Sequence, residues 1–108
     1  MSASISDLET TLTLLEDNFH DAYIAAPDDA SRLQLRLTLA AARDAYWKAV
    51  ADGMKDKNEF VQQLSDELKI ENDNLSTALG NLQNFAAFLD TAKEAVKLAA
   101  AIAALAAA

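Results

Sequence analysis

At 108 residues the chain is long enough for one hydrophobic core, so we expect a single domain over residues 1–108. Two glycines, one proline and 52% hydrophobic residues with abundant alanine predict helix throughout. The net charge of −8 argues against nucleic-acid binding, and the absence of cysteine excludes disulfides, thiolate metal ligands and a cysteine nucleophile.

The first predicted helix covers residues 6–26. Ser6 and Glu9 have the spacing of a capping box, in which the serine covers an early amide and the glutamate reaches back. The helix should end before Pro27, because proline lacks an amide and disfavours helical geometry in the residue before it. Apolar residues at steps of three and four predict one buried face on this helix: Ile5, Leu8, Leu12, Leu15, Phe19 and Ala22.

The second predicted helix covers residues 29–52. Gly53 should end it, because glycine readily adopts the left-handed conformation found after helix C-termini. Apolar residues occupy more than half of the circumference, so we expect burial on two sides, either inside a bundle or between subunits. Tyr46 and Trp47 are interpreted as core side chains with polar tips near water.

The third predicted helix covers residues 57–106, after a turn over residues 53–56. Apolar residues step by three and four from Val61 to Ala106, interrupted chemically only at Glu71, which is the pattern of a heptad seam. A continuous helix of this length would be a rod of about 75 Å. The first two helices could cover about half of it, so the rest of the seam needs another subunit or a fold-back.

The predicted fold class is therefore all-α: an antiparallel helical hairpin, or a bundle of three to four helices, with a long heptad-patterned C-terminal helix. Two positions could break that helix and give a compact bundle. Four polar residues crowd residues 71–74, and Thr91 and Glu94 near residue 90 repeat the capping-box spacing.

The apolar seam and the Ala-rich tail are the candidate interface for self-assembly, since small side chains let helix axes approach closely. Lys93 and Lys97 precede the apolar face of the tail, so shallow contact with a membrane surface is a further hypothesis. The predicted interface residues are Leu64, Leu68, Leu75, Leu82, Phe85, Leu89, Val96, Leu98, Ile102 and Leu105.

Charge is distributed unevenly along the chain. Residues 1–31 hold seven acids and no base, residues 32–57 hold six bases and three acids, and residues 58–92 hold six acids and one base. The basic segment would pair favourably with its acidic neighbours if the three packed as antiparallel helices.

Chemistry-bearing motifs are sparse. His20 lies within one helical turn of Glu16 and Asp17, but a bundle metal site needs two Glu-x-x-His pairs, so we predict no metal and no cofactor. Two isolated glycines cannot build a phosphate-binding loop, and no small-molecule substrate is evident. We therefore expect a protein that is not an enzyme, with neither signal peptide nor transmembrane segment, and a cytoplasmic location is favoured.

Two functional hypotheses follow. In the first, the chain is a self-assembling structural or oligomeric interaction protein that forms a homo-oligomer or binds another helical protein through its seam. In the second, the chain is an acidic binding module, comparable to an antitoxin, an immunity protein or a chaperone, that covers a basic protein partner.

Overall fold

The computed structural model describes residues 3–53 and 58–106. These residues form five α-helices and no strand, which confirms the all-α prediction for the described part of the chain. The predicted turn up to residue 56 and the predicted helix start at residue 57 lie outside it. In chain order the helices are α1 (Ala3–Asp17), α2 (Phe19–Ala25), α3 (Asp29–Ala51), α4 (Glu59–Leu79) and α5 (Phe85–Ala106).

The four longer helices pack around one core, and the short α2 connects α1 to α3. Helix α1 packs on α3 and α4, whereas α5 packs on α3, on α4 and, across the centre, on α1. Helices α3 and α4 make at most marginal contact in the described residues, so they occupy opposite corners of the bundle. The resulting body measures 41 × 21 × 18 Å, well short of a rod of about 75 Å.

Helix α5 packs against all three of the other long helices. Its alanines Ala92, Ala95, Ala99 and Ala103 are buried, and their small side chains let the neighbouring helices approach closely. The described part of the Ala-rich tail therefore packs inside this chain's own bundle. The largest fully buried apolar side chains come from all four long helices: Leu8, Leu35, Val61, Leu68, Leu75, Phe88 and Ile102.

The prediction of one continuous helix over residues 57–106 is wrong. The chain stays helical through residues 71–74 and around residue 90, but it leaves the helix between Gly80 and Asn84. The amide groups of Gly80 and Asn81 bond to carbonyls three residues earlier, which tightens the last turn of α4. The Asn84 side chain then accepts a hydrogen bond from the Ala87 amide at 3.4 Å, as an N-cap of α5 does.

The predicted first helix is also divided, at Asn18. The Asn18 side chain donates a hydrogen bond to the Leu14 carbonyl at 2.8 Å, which competes with the helical ladder and separates α1 from α2. Helix α1 begins at Ala3, so Ser6 lies inside the helix, exposed, and the predicted capping box does not form.

Both predicted ends of the second helix are confirmed within a residue. The Asp28 carboxylate accepts a hydrogen bond from the Ser31 amide at 2.7 Å and caps α3. Hydrogen bonding from the Ser31 side chain, and then from its amide, holds the pKa of Asp28 below its ordinary value. Gly53 follows the helix with φ of +62°, in the left-handed region that favours glycine.

A buried polar cluster fixes how α1 and α4 pack. The Thr11 hydroxyl lies 2.7 Å from Asn72 Oδ1, and Asn72 Nδ2 donates to the Asp7 carbonyl at 3.1 Å. Ser65 donates to the Asp7 carboxylate, and Lys69 covers that carboxylate from outside at 3.1 Å.

The polar residue that the seam places inside the core is Asn72. Its neighbour Glu71, at the seam position itself, is only half-buried. Satisfied buried polar groups of this kind favour one helix register over its alternatives.

Replacing Asn72 with alanine should lower the free energy of unfolding by about 1–3 kcal/mol, because a hydrogen-bonded buried amide is lost. The matched control is Asn74→Ala on the exposed side of the same helix, with an expected effect within about 0.5 kcal/mol. Urea denaturation of both variants measures the difference. Equal stabilities for the two variants would contradict a structural role for the cluster.

Candidate protein-interaction surface

Helix α3 has a second apolar face that the bundle leaves uncovered. We call it the α3 stripe and define it as Leu33, Leu37, Ala40, Asp44 and Trp47, all of them exposed. At 100° per residue these positions fall within an arc of about 80° on the helix surface. Leu37 is 54% exposed and Trp47 is 61% exposed, so the stripe presents large apolar side chains to solvent.

The α3 stripe lies opposite the face that α3 buries in the core. Leu35, Leu39, Ala42, Ala45 and Ala49 are buried and follow the same helical period half a turn away. A bundle helix needs only one apolar face to hold its place. The sequence predicts burial of α3 on two sides. Within this chain one of these sides is buried and the other is exposed.

A groove beside the stripe extends the apolar surface towards α5. Leu37 and Ala41 of α3 line one wall, and Val96 and Ala100 of α5 line the other. The groove has a volume of about 330 Å³. A separate hollow that shares Ala41 and Ala100 with it lies beside it and reaches Ala103. Small side chains along the floor of the groove leave room for side chains of a partner helix.

The rim of this surface is mostly basic. Arg36, Arg43 and Lys48 flank the α3 stripe, while Lys93 and Lys97 border the groove from α5. Asp44 is the acidic member of the stripe itself. In a chain with net charge −8, this combination of apolar centre and basic rim favours an acidic partner surface.

Tyr46 and Trp47 were predicted to behave alike, and the structure separates them. Tyr46 is half-buried, and its hydroxyl donates to the Glu9 carboxylate of α1 at 3.1 Å, which raises the pKa of Tyr46 above its ordinary value. Trp47 stands on the outer face, with its ring edge-on to Tyr46 at 5.0 Å between centroids. The prediction of a core side chain holds for Tyr46 and is wrong for Trp47.

The residues predicted as an interface lie mostly in the chain's own core. The fold-back packs α4 on α5, so the two halves of the seam meet the bundle interior within one molecule. The apolar face of the tail, which was the hypothetical site of membrane contact, consists of Leu98, Ile102 and Leu105 and is packed in the same way. Leu68, Leu75, Phe85, Val96 and Ile102 are buried, and Leu64, Leu82, Leu89, Leu98 and Leu105 are partly buried against them.

Charge pairing between the basic and acidic segments is realised only in part. In the described residues, one ion pair joins α3 to α1, from Arg43 to Glu16 at 3.1 Å. The acids of α4 do not meet the bases of α3, because these helices occupy opposite corners. The condition for pairing all three segments is therefore not met, because the basic helix α3 and the acidic helix α4 are not neighbours.

A second groove, between α4 and α5, is acidic. Glu67, Glu71 and Glu94 surround the apolar side chains of Ile70 and Leu98. Ile70 is 62% exposed and lies on the side of α4 that points away from the core. Helix α4 thus presents an acidic face with an apolar side chain at its middle.

The three glutamates of the second groove do not form a candidate metal site in the described part of the chain. His20 is exposed on α2, and the described residues hold no group of three or more potential metal ligands from histidine, cysteine, aspartate and glutamate. In residues 3–53 and 58–106, none of the helices combines the length and apolar character needed to cross a membrane. Comparison of the chain with protein-family models, with curated proteins and with solved structures found no match.

The single tryptophan gives a direct test of the α3 stripe. In dilute folded protein, Trp47 emission should resemble that of a water-exposed indole, and acrylamide should quench it almost as well as in urea-unfolded protein. The reason is that most of the side chain lies outside the core. Blue-shifted emission protected from acrylamide at low protein concentration would contradict the exposed position.

Proposed function

We propose that this chain is a non-enzymatic helical protein that acts through helix–helix packing, most directly as a self-assembling, oligomeric interaction protein. The observation that supports the proposal is the α3 stripe, an apolar face directly opposite the buried face of the same helix. Contiguous exposed apolar surface on a small protein commonly marks a site of protein–protein contact.

The stripe differs from scattered surface leucines in its periodicity. Its members recur every three or four residues over about four helical turns, which is the spacing that packs against another helix. Trp47 and Leu37 supply large apolar area, and Ala40 between them lets a second helix axis approach closely. The contact surface proposed here therefore replaces the heptad seam, whose residues serve the core.

The alternative function is an acidic binding module that covers a basic protein partner. It is supported by the distribution of charge: α1 and α2 carry five acids and no base, and α4 carries five acids and one lysine. The groove with Glu67, Glu71 and Glu94 around Ile70 lies on this acidic side. Such a surface would attract a basic partner and speed its association at low salt.

Self-assembly predicts a solution mass that rises above 11.6 kDa as concentration increases over a hundredfold range. The double variant Leu37→Asp/Trp47→Asp should stay at the monomer mass, because two charges in the stripe must be desolvated on contact. Light scattering measures the mass, and circular dichroism checks that the variant keeps its helices.

The matched control is Ile24→Asp, which makes the same kind of change at an apolar side chain of α2 that is 64% exposed. It should assemble as the wild type does. A wild-type mass of 11.6 kDa at every concentration would contradict self-assembly and favour the acidic binding module.

A further inference from the structure

Two helices at opposite corners of the bundle carry the large exposed apolar side chains of the long helices. Helix α3 exposes Leu37 and Trp47, and helix α4 exposes Phe60 and Ile70. Leu33 and Val50 of α3 are exposed as well. The pair Leu37 and Trp47 on α3 and the pair on α4 have the same spacing, ten residues or about 15 Å along the axis. Phe60 is 64% exposed, comparable with Trp47, so both corners present apolar area to solvent.

The same two corners have opposite charge. Helix α3 carries four basic and two acidic residues, whereas α4 carries five acidic residues and one lysine. On each of these two helices, exposed residues of the dominant charge recur every seven positions, about 10.5 Å along the axis. The basic repeat is Arg36 and Arg43, and the acidic repeat is Glu59, Asp66 and Asp73.

The fold prevents these two surfaces from meeting within one molecule. Helices α3 and α4 lie diagonally across the bundle, with α1 and α5 between them. Within the chain Arg43 reaches Glu16 of α1 at 3.1 Å, and Arg36 lies over the Tyr23 ring at 5.9 Å from its centroid. The outer side of α3 would be complemented by an acidic helix whose apolar side chains are also ten residues apart.

We infer that the occupant of the α3 stripe is the α4 face of a second copy of this chain. This inference rests on the proposed self-assembly and adds which surfaces meet. The contact places Leu37 and Trp47 of one copy against the side of α4 that bears Ile70, with the arginines near the acidic repeat of α4. Because the two surfaces differ and point in opposite directions, each added copy exposes a new α4 face or a new α3 face.

Such a head-to-tail contact is heterologous, so it repeats into an open filament or closes into a ring. A symmetric contact between two α3 stripes is disfavoured by charge. It would bring Arg36, Arg43 and Lys48 of both copies to one interface with only Asp44 of each copy to oppose them, and the excess of like charges is a penalty against that pairing.

Two single variants, each disabling one face, test the inference. Trp47→Asp places a charge on the α3 face, and Ile70→Asp places one on the α4 face; the two side chains are 61% and 62% exposed. Because neither side chain belongs to the core, both variants should fold, and circular dichroism verifies this. Each variant alone should remain at 11.6 kDa under conditions in which the wild type assembles.

The 1:1 mixture is decisive. Trp47→Asp keeps an intact α4 face and Ile70→Asp keeps an intact α3 face, so one contact can form and growth must stop there. Light scattering should give twice the 11.6 kDa monomer mass for the mixture. If Ile70→Asp assembles like the wild type, or the mixture stays monomeric, the α3–α4 contact is overturned while self-assembly stands. A wild type that never assembles overturns both.

Discussion

The reversal of the chain between Gly80 and Asn84 is the constraint on which the rest of this structure depends. It turns one long apolar seam into two antiparallel helices and packs the alanine-lined face of α5 against the other three long helices. Each alanine buries little apolar area, so the alanines stabilise the bundle mainly by letting the neighbouring helices approach closely. Without the reversal, α4 and α5 would form one long helix whose apolar surface α1, α2 and α3 together could not cover.

The same packing decides which surfaces remain available. Since α5 and α1 occupy the positions between α3 and α4, the basic and acidic helices cannot neutralise each other inside one molecule. On the long helices, the large apolar side chains that the core leaves exposed lie at those two corners, among them Trp47 on one and Ile70 on the other. Exposed apolar side chains with complementary charge at the two corners favour contact between molecules.

Helix type and the limits of α3 were predictable, because composition, the Asp28 cap and Gly53 are local signals. The break at Gly80 was missed because the spacing of apolar residues stays in phase across it. In a hairpin both helices face one core, and Leu82 in the turn also packs towards it, so continuous phase does not require a continuous helix. The α3 stripe was partly foreseen, since apolar residues all round a helix predict two contacts. Which face of α3 packs in the core and which is left exposed depends on tertiary packing, and the spacing of apolar residues does not reveal it.

The most direct test of the fold-back is a distance between spin labels at Gln63→Cys and Ala104→Cys, two exposed positions in a chain without native cysteine. Double electron–electron resonance, with labelled protein diluted in unlabelled protein, should give a separation below about 30 Å, because packed helix axes lie about 8–10 Å apart. A separation near 62 Å, the approximate length of 41 residues of unbroken helix, would contradict the account.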